Sequence, residues 1–278
     1  MKILQRSIAL GALVVVAAVG APAIGATSSH TKAKLNRANT DPLNPDTFAY
    51  LGEVTTSGTV DSSGQGNSGL VSTAFGGTVT DGTDATYGDV IRFPQTTCST
   101  APSGSSCPRA TVSPQDQSAL NPLDGTGNFV FGATVRLSTV AGKAGMNIMQ
   151  RGVFGDGQAQ WKLQTDYKAA DGFRVASCRF SDGTTAVILL GTKKLVAGTW
   201  YDLACRRSGS TFSLVVDQVD GTSADETVSA TAALGAIAPT KSATIGGKAI
   251  TTTVGQTDTS TDQFHGDLDG VFFRRVAS

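Results

Sequence analysis

The chain has 278 residues and a formal net charge of zero, because 22 Lys plus Arg are balanced by 22 Asp plus Glu. The two signs are interspersed along the sequence, which argues against nucleic acid as a partner. The length suits a single β domain, since sandwiches of about 200 to 250 residues commonly share one core.

The N-terminus has the features of a secretory signal peptide. Lys2 and Arg6 precede an apolar run over residues 8–19, and small residues suited to cleavage follow it. No later stretch approaches the roughly 20 apolar residues of a membrane helix. We therefore predict that residues 1–26 are a signal peptide and that the mature protein is secreted and extracellular, without membrane insertion.

Residues 27–46 are polar and of mixed charge, and Pro42 and Pro45 discourage regular pairing there. This pattern predicts a linker. From Thr47 onward, Gly, Ser and Thr are frequent, helical periodicity is absent, and turn signals recur at the spacing of antiparallel β structure. The sequence therefore predicts one all-β domain over residues 47–278.

Strict alternation indicates strands with one buried face. Residues 128–137 and 211–217 both alternate in this way. The side chains expected to face the core are Phe129, Phe131, Ala133, Val135 and Leu137 in the first strand, and Phe212, Leu214 and Val216 in the second.

The sequence also predicts which faces are buried in the closing segment and in the strand at residues 185–190. Phe264, Leu268 and Phe272 are expected on one face of the last strand, where Gly266 and Gly270 leave room for neighbouring side chains. Residues 185–190 are almost continuously apolar, which suits a strand covered on both sides.

The four cysteines of a secreted chain favour two disulfides over a metal site. Cys98 and Cys107 bracket a short polar loop, whereas Cys178 and Cys205 lie in two strand-like segments. No histidine accompanies them at a zinc-site spacing. We predict the pairs Cys98–Cys107 and Cys178–Cys205.

Several strand-like segments together resemble one family. They are Phe48-Ala49-Tyr50, Asp61 to Asn67, Met146 to Gly152, Gln160 to Leu163, Cys178-Arg179-Phe180, Trp200 to Arg207 and Gln263 to Val271. The series resembles the concanavalin A-like lectin and glucanase superfamily, in particular the laminin G-like and pentraxin-type domains of secreted proteins. The resemblance implies an antiparallel β-sandwich of the jelly-roll kind, a fold that serves both binding modules and enzymes.

Catalytic signatures are missing. Glycoside hydrolysis needs two carboxyl groups that flank the scissile bond, and the only glutamates, Glu53 and Glu226, are far apart in sequence. Asp267 and Asp269 are two residues apart on one strand, where the resemblance implies a structural role. A lyase of this fold would group Arg, Gln, His and Tyr on the concave sheet, and no Gly-x-Ser-x-Gly elbow is present. The sequence predicts that the protein is not an enzyme.

The candidate ligand-binding residues are Trp161, Arg206 and His265. An aromatic face such as that of Trp161 can stack on a pyranose ring, although its alternation with Leu163 also fits a core position. Trp200 heads the strand that contains Cys205 and is expected in the core.

Asp269 is the candidate metal ligand, with Asp61 as a weaker partner. In relatives of this fold, the aspartate of the closing strand often helps to hold calcium together with carbonyl oxygens. The Gly-rich turn that begins at Asp61 offers such carbonyls. The alternative is that Asp269 accepts backbone N–H bonds.

These observations predict a secreted, non-catalytic recognition or adhesion module that binds a polysaccharide or a cell-surface glycoconjugate. One alternative is a glycan hydrolase or lyase with an unusual site, which two carboxylates within reach of one bond would favour. Another is a structural surface protein that binds a second protein, which a flat polar sheet without exposed aromatic rings would favour.

Overall fold

A computed structural model describes residues 13–17, 45–139, 142–155 and 157–277 of the protein, with the backbone alone for residues 13–17. These residues form β1 (Leu13–Ala17), β2 (Asp46–Tyr50), β3 (Gly58–Thr59), β4 (Gly69–Ala74), β5 (Thr80–Asp84), β6 (Gly88–Arg92), β7 (Arg109–Pro114), β8 (Asn128–Leu137), β9 (Met146–Gly152), β10 (Ala159–Lys168), β11 (Phe173–Asp182), β12 (Ala186–Leu190), β13 (Trp200–Ser208), β14 (Thr211–Gln218), β15 (Glu226–Thr231), β16 (Ala243–Ile245) and β17 (Gly266–Val276). A 3-10 turn at Leu123–Gly125 and the short helix α1 (Asp258–Thr261) complete the described elements.

The strands form two sheets, which confirms the predicted antiparallel β-sandwich. Sheet A has the order β1-β12-β11-β10-β9-β16-β7-β4-β3, and sheet B has the order β15-β14-β13-β8-β17-β6-β5, with β2 also paired to β17. The contact of β1 with β12 is parallel, and the other ladders are antiparallel.

The predicted signal peptide and linker lie outside the described residues, except for Leu13–Ala17, Pro45 and Asp46. Pairing in the domain begins at Asp46 with β2, close to the predicted boundary at residue 47. None of the helices in the described part of the chain has the length and apolarity that a bilayer crossing requires.

The core lies between the sheets and is rich in aromatic rings. The alternation predicted for β8 and β14 is confirmed, since their expected inward residues are all buried. The ring of Trp161 on β10 lies 4.8 Å from that of Phe131 on β8 and 5.2 Å from that of Phe273 on β17, measured between centroids. These contacts join sheet A to sheet B across the sandwich.

The closing strand differs from its predicted pattern. Phe264 and Leu268 are buried as expected, but the register of β17 against β8 shifts between Asp269 and Phe272. This β-bulge places Phe272 opposite Gly132 on the outer face and turns Val271 and Phe273 into the core. The expectation that Phe272 faces the core is therefore wrong.

Gly266 shows why a glycine is needed in this strand. A methyl group at this position would lie 2.1 Å from the carbonyl oxygen of Arg136. The group that approaches Gly266 is therefore the backbone of β8, whereas the sequence predicted a side chain.

β12 is covered less completely than its apolar run predicted. Val187 and Leu189 are buried, but Ile188 and Leu190 on the opposite face are half-buried.

Both predicted disulfides are confirmed. Cys178 on β11 and Cys205 on β13 join sheet A to sheet B, with Cα atoms 5.8 Å apart. Cys98 and Cys107 close the loop between β6 and β7, with Cα atoms 5.6 Å apart. The first bridge therefore fixes the sandwich, and the second fixes a loop at its edge.

Candidate functional site

The three predicted ligand-binding residues do not come together. Trp161 is fully buried, and its indole Nε1 donates to the carbonyl oxygen of Leu120 at 3.1 Å. It offers no surface to a ligand, so its assignment as a ligand-binding residue is corrected to a core residue.

His265 is also buried, just before β17. Its Nε2 lies 2.9 Å from Asp258 Oδ2, and its Nδ1 lies 2.9 Å from the carbonyl oxygen of Pro94. The same carboxylate oxygen of Asp258 accepts a bond from the backbone N–H of Cys98. His265 therefore holds the disulfide loop against the sandwich, which corrects its predicted contact with a ligand.

Arg206 is exposed on β13 and belongs to the outer face of sheet B, because Cys205 and Arg207 beside it turn inward. Its role as a ligand-binding residue stays a prediction.

Trp200, expected in the core, is half-exposed on the same outer face of sheet B. Its Nε1 donates to Asp84 Oδ2 at 3.2 Å, and the guanidinium of Arg136 lies 4.7 Å from the ring centroid. The core prediction for Trp200 is wrong because the residue stands at the beginning of β13, where the outer face carries a charged network.

That network lies on the outer face of sheet B. The carboxylate of Asp267 accepts from Arg92 Nε at 2.9 Å and from Arg136 at 2.6 Å, and Arg136 also pairs with Asp84. Each of these charges therefore has a partner within the protein, and the network fastens β5, β6, β8 and β17 to one another.

A cavity of about 650 Å³ opens on the outer face of sheet A. Its polar and aromatic lining includes Arg109, Gln150, Phe154, Gln160, Lys162, Arg179, Lys241, Lys248 and Asp262. Strand alternation explains the position of the cavity floor. On β10, Lys162 lies between Trp161 and Leu163, which face the core, and therefore faces outward. On β11, Arg179 lies between Cys178 and Phe180, which also face the core, and therefore faces outward as well.

The floor of the cavity is a row of polar residues at adjacent positions of three neighbouring strands. Lys162 on β10 lies directly opposite Arg179 on β11 and Gln150 on β9. Gln150 accepts a bond from Asn147 Nδ2 at 2.7 Å. Gln160 donates from Nε2 to the carbonyl oxygen of Gly152 at 3.2 Å, and its buried Oε1 has no partner among the described residues.

Asp262 supplies the negative charge of the cavity. It caps α1 in the left-handed region, with φ of 50°, and its N–H donates to the carbonyl oxygen of Asp258. Its Oδ2 lies 3.1 Å from Lys162 Nζ and 3.2 Å from Lys248 Nζ. One carboxylate is thus shared between two ammonium groups.

The exposed aromatic ring belongs to Phe154, in the turn between β9 and β10. Its side chain is 49% exposed, and the guanidinium of Arg179 lies 4.1 Å from its centroid. The ring therefore forms a wall of the cavity beside a cation.

Burial disfavours the charged forms of the two cations on the cavity floor, Arg179 and Lys162. It lowers the pKa of Arg179, although the nearby charges of Asp166 and Asp262 oppose the shift. Burial likewise lowers the pKa of Lys162, against the attraction of Asp262. The charged forms of Lys162 and Arg179 are therefore less favourable in the folded protein than in the unfolded chain.

The predicted calcium residues are occupied by hydrogen bonds. Asp61 accepts bonds from the N–H groups of Ala49, Ser63 and Asn67 and from the hydroxyl of Ser63. Asp269 is buried on β17, and its Oδ1 accepts from the N–H of Gly270. The described residues contain no group of three or more His, Cys, Asp or Glu arranged to hold a metal. Calcium binding by Asp269 and Asp61 stays a prediction without support from this arrangement.

Sequence reasoning missed the cavity on sheet A, although one signal was present. Gln160, Lys162 and Gln164 alternate with Trp161 and Leu163, which places three polar side chains on one outer face. Asp262 at the end of α1 is 100 residues from Lys162, and no local pattern shows that it reaches the cavity.

Comparison with known proteins supports the fold. The family model described as Laminin G domain matches residues 169–276, a segment that extends from just before β11 to the end of β17. The predicted laminin G-like resemblance is thereby confirmed. No curated protein matches the sequence significantly.

Among the solved structures that resemble the chain are a phage tailspike domain and a bacterial protein. The enzymatically active domain of tailspike protein 2 from bacteriophage CBA120 has a TM-score of 0.54 and 16% identity, over 81% of this chain and 30% of that chain. A protein of unknown function from Shewanella oneidensis MR-1 has a TM-score of 0.52 and 13% identity, over 92% of this chain and 96% of that chain. The chain thus corresponds to less than a third of the tailspike. At these identities the likeness concerns the fold alone.

Proposed function

We propose that this laminin G-like sandwich is a secreted glycan-recognition module that binds a polysaccharide or glycoconjugate in the cavity on the outer face of sheet A. One observation carries the proposal: amide side chains and a half-exposed aromatic ring line the same cavity. Amides such as those of Gln150 and Gln160 exchange hydrogen bonds with sugar hydroxyls, and the ring of Phe154 suits the C–H face of a pyranose.

The same geometry disfavours a surface that only docks a second protein. Such a surface was expected to be flat, polar and free of exposed rings, whereas this face is concave at the cavity and carries Phe154. Cavities of this size suit a few sugar units.

A glycan-array screen of the purified mature protein, with and without calcium, tests the proposal. We expect a defined set of glycans to bind, and Phe154→Ala to weaken their binding at least tenfold in calorimetric titration. Val196→Ala, at an exposed apolar position outside the cavity, is the control and should bind as the wild type does. Loss of binding in Arg206→Ala with full binding in Phe154→Ala would move the site to sheet B.

A second candidate function is glycan hydrolysis at the same face, because two carboxylates lie near each other there. A methyl group at Gly145 would lie 3.6 Å from Asp166 Oδ1 and 3.9 Å from Asp262 Oδ1, so these two oxygens are at most about 7.5 Å apart. Carboxyl pairs are about 5 to 5.5 Å apart in retaining hydrolases and about 6.5 to 9.5 Å apart in inverting ones, so this upper limit permits either kind.

The partners of these two carboxylates favour binding without turnover. Asp262 is shared by two lysines, and Asp166 accepts bonds from Gln164 and Ser177. Reducing-end assays on every glycan that binds should therefore show no release above buffer. Release that Asp166→Asn or Asp262→Asn abolishes would establish the hydrolase instead.

A further inference from the structure

Arg179 differs from the other partly buried arginines of the described chain. Arg109, Arg151, Arg174 and Arg207 each donate to backbone carbonyl oxygens. The guanidinium of Arg179 has no hydrogen-bond or ion-pair partner among the described residues, and it lies 4.1 Å from the ring centroid of Phe154. A guanidinium has five N–H donors, so Arg179 presents unused donors to the cavity.

An unused acceptor lines the same cavity. Gln160 is 3% exposed, and its Oε1 is buried without a partner among the described residues. A buried acceptor left without a donor costs about 1 to 3 kcal/mol. The cavity therefore holds both a cationic donor that needs an acceptor and an amide acceptor that needs a donor.

The charge of the lining favours an anion. Arg109, Lys162, Arg179, Lys241 and Lys248 line the cavity, whereas the one carboxylate among the lining residues is Asp262. This excess of positive charge is local, because the whole chain has a formal net charge of zero. Low dielectric around partly buried cations strengthens their attraction for an anionic ligand.

We infer that the cavity recognises an acidic sugar, with Arg179 as the carboxylate-binding residue and Gln160 Oε1 as the acceptor for a neighbouring hydroxyl of the same ligand. The inference rests on the proposed glycan-binding function and adds the ligand class, a polysaccharide that contains uronic acids. A uronate offers a planar carboxylate, which matches the planar fork of a guanidinium, together with hydroxyl donors on the same ring.

The stacked ring of Phe154 contributes by orienting the fork. A guanidinium that lies 4.1 Å from a ring centroid is held in place before the ligand arrives. Arg179→Lys retains the positive charge but loses the planar fork, so it separates charge attraction from geometric recognition.

Calorimetric titration with oligogalacturonate and with alginate oligosaccharides tests the inference, beside the same oligosaccharides after reduction of their carboxyl groups. We expect the wild type to bind at least one acidic oligosaccharide and to bind its carboxyl-reduced form at least 30-fold more weakly. Arg179→Met should lose a similar factor for the acidic form and nothing further for the reduced form. Arg179→Lys should recover part of the affinity, and Lys194→Met, at an exposed cation outside the cavity, should match the wild type.

The possible failures are distinguishable. Equal binding of acidic and reduced oligosaccharides, with Phe154→Ala still weakening both, would overturn the carboxylate inference and leave glycan recognition intact. Tight binding of sulfated dextran without binding of either uronate would also overturn it, in favour of a sulfate ester. Absence of binding to every glycan would contradict the proposed function itself.

Discussion

On the outer face of sheet B, the guanidinium groups of Arg92 and Arg136 share the carboxylate of Asp267, whereas on the outer face of sheet A the guanidinium of Arg179 has no such partner among the described residues. On both faces, every second side chain of a strand points outward, and the side chains between them point into the core. The two faces differ in whether these guanidinium groups have a carboxylate partner within the protein. Charges that are satisfied within the fold stabilise it, and charges left without partners indicate where a ligand completes the arrangement.

The two faces also differ in the direction of their pKa shifts. On sheet B, the pKa of Asp84 is lowered, because hydrogen bonds from Thr86, Trp200 and Tyr87 and the charge of Arg136 outweigh the effect of burial. On sheet A, burial lowers the pKa values of Lys162 and Arg179. Ionisation of Asp84 therefore stabilises the fold, whereas ionisation of Lys162 and Arg179 is less favourable in the folded protein than in the unfolded chain.

The largest expected effect concerns the core beneath both faces. Trp161→Ala removes a fully buried ring that contacts Phe131 and Phe273, and we expect a loss of about 4 kcal/mol in the free energy of unfolding. Trp200→Ala, at the half-exposed position, should lose about half as much. Urea unfolding measures both values. A larger loss for Trp200→Ala would contradict the assignment of Trp161 to the core.

The next effect compares one carboxylate from each face. Asp267→Asn should lower the free energy of unfolding by about 3 kcal/mol, because it leaves two arginines without their buried partner. Asp262→Asn leaves Lys162, which is 8% exposed, without its carboxylate, but a buried lysine can lose its proton where an arginine cannot, so this variant should cost less, about 2 kcal/mol. If urea unfolding showed equal losses of free energy for the two variants, the carboxylates of the two faces would not differ in how strongly they stabilise the fold.

The sequence predicted the local part of this architecture. Alternation placed Phe129, Phe131 and Phe212 in the core, and the loop contexts of the cysteines gave both disulfides. These features depend on neighbouring residues or on short loops. They are accessible to pattern reasoning because the period of a strand fixes the face of each side chain.

The sequence did not predict features that depend on distant partners. The bulge after Asp269 reversed the faces of Phe272 and Phe273, and no residue count shows where such a shift falls. The cavity joins Lys162 to Asp262, which is 100 residues away. Equal totals of acidic and basic residues also concealed the local excess of positive charge on sheet A.

A smaller effect tests the acid sensitivity of the sheet B network. The folded-state pKa of Asp84 is lowered below its ordinary value of 3.8. Its ionisation therefore contributes stability above about pH 4, and this contribution is lost as the pH falls through the folded-state pKa. We expect Asp84→Asn to remove less than about 1 kcal/mol at pH 6, because solvent screens part of the interaction. At pH 2 the variant and the wild type should differ less, and a difference that grows in acid would reverse the assigned sign.

The smallest effect concerns Lys162, whose side chain is 8% exposed. Burial lowers its folded-state pKa below the usual 10.5, with Asp262 opposing the shift. The unfolded chain therefore binds the proton more tightly, and the stability of the wild type rises as the pH increases from the folded-state pKa toward 10.5.

Lys162→Met removes this titration and retains the length of the side chain. The variant should stay within about 1 kcal/mol of the wild type at pH 7, because replacing a partly compensated buried charge by an apolar group is often neutral. Its free energy of unfolding should lack the rise that the wild type shows as the pH increases toward 10.5, measured by urea unfolding at fixed ionic strength. If Lys162→Met instead lost several kcal/mol at pH 7, the charge would be stabilising the fold, and the outer face of sheet A would resemble that of sheet B. A stable variant with weakened glycan binding would show that Lys162 serves the ligand at no benefit to the fold.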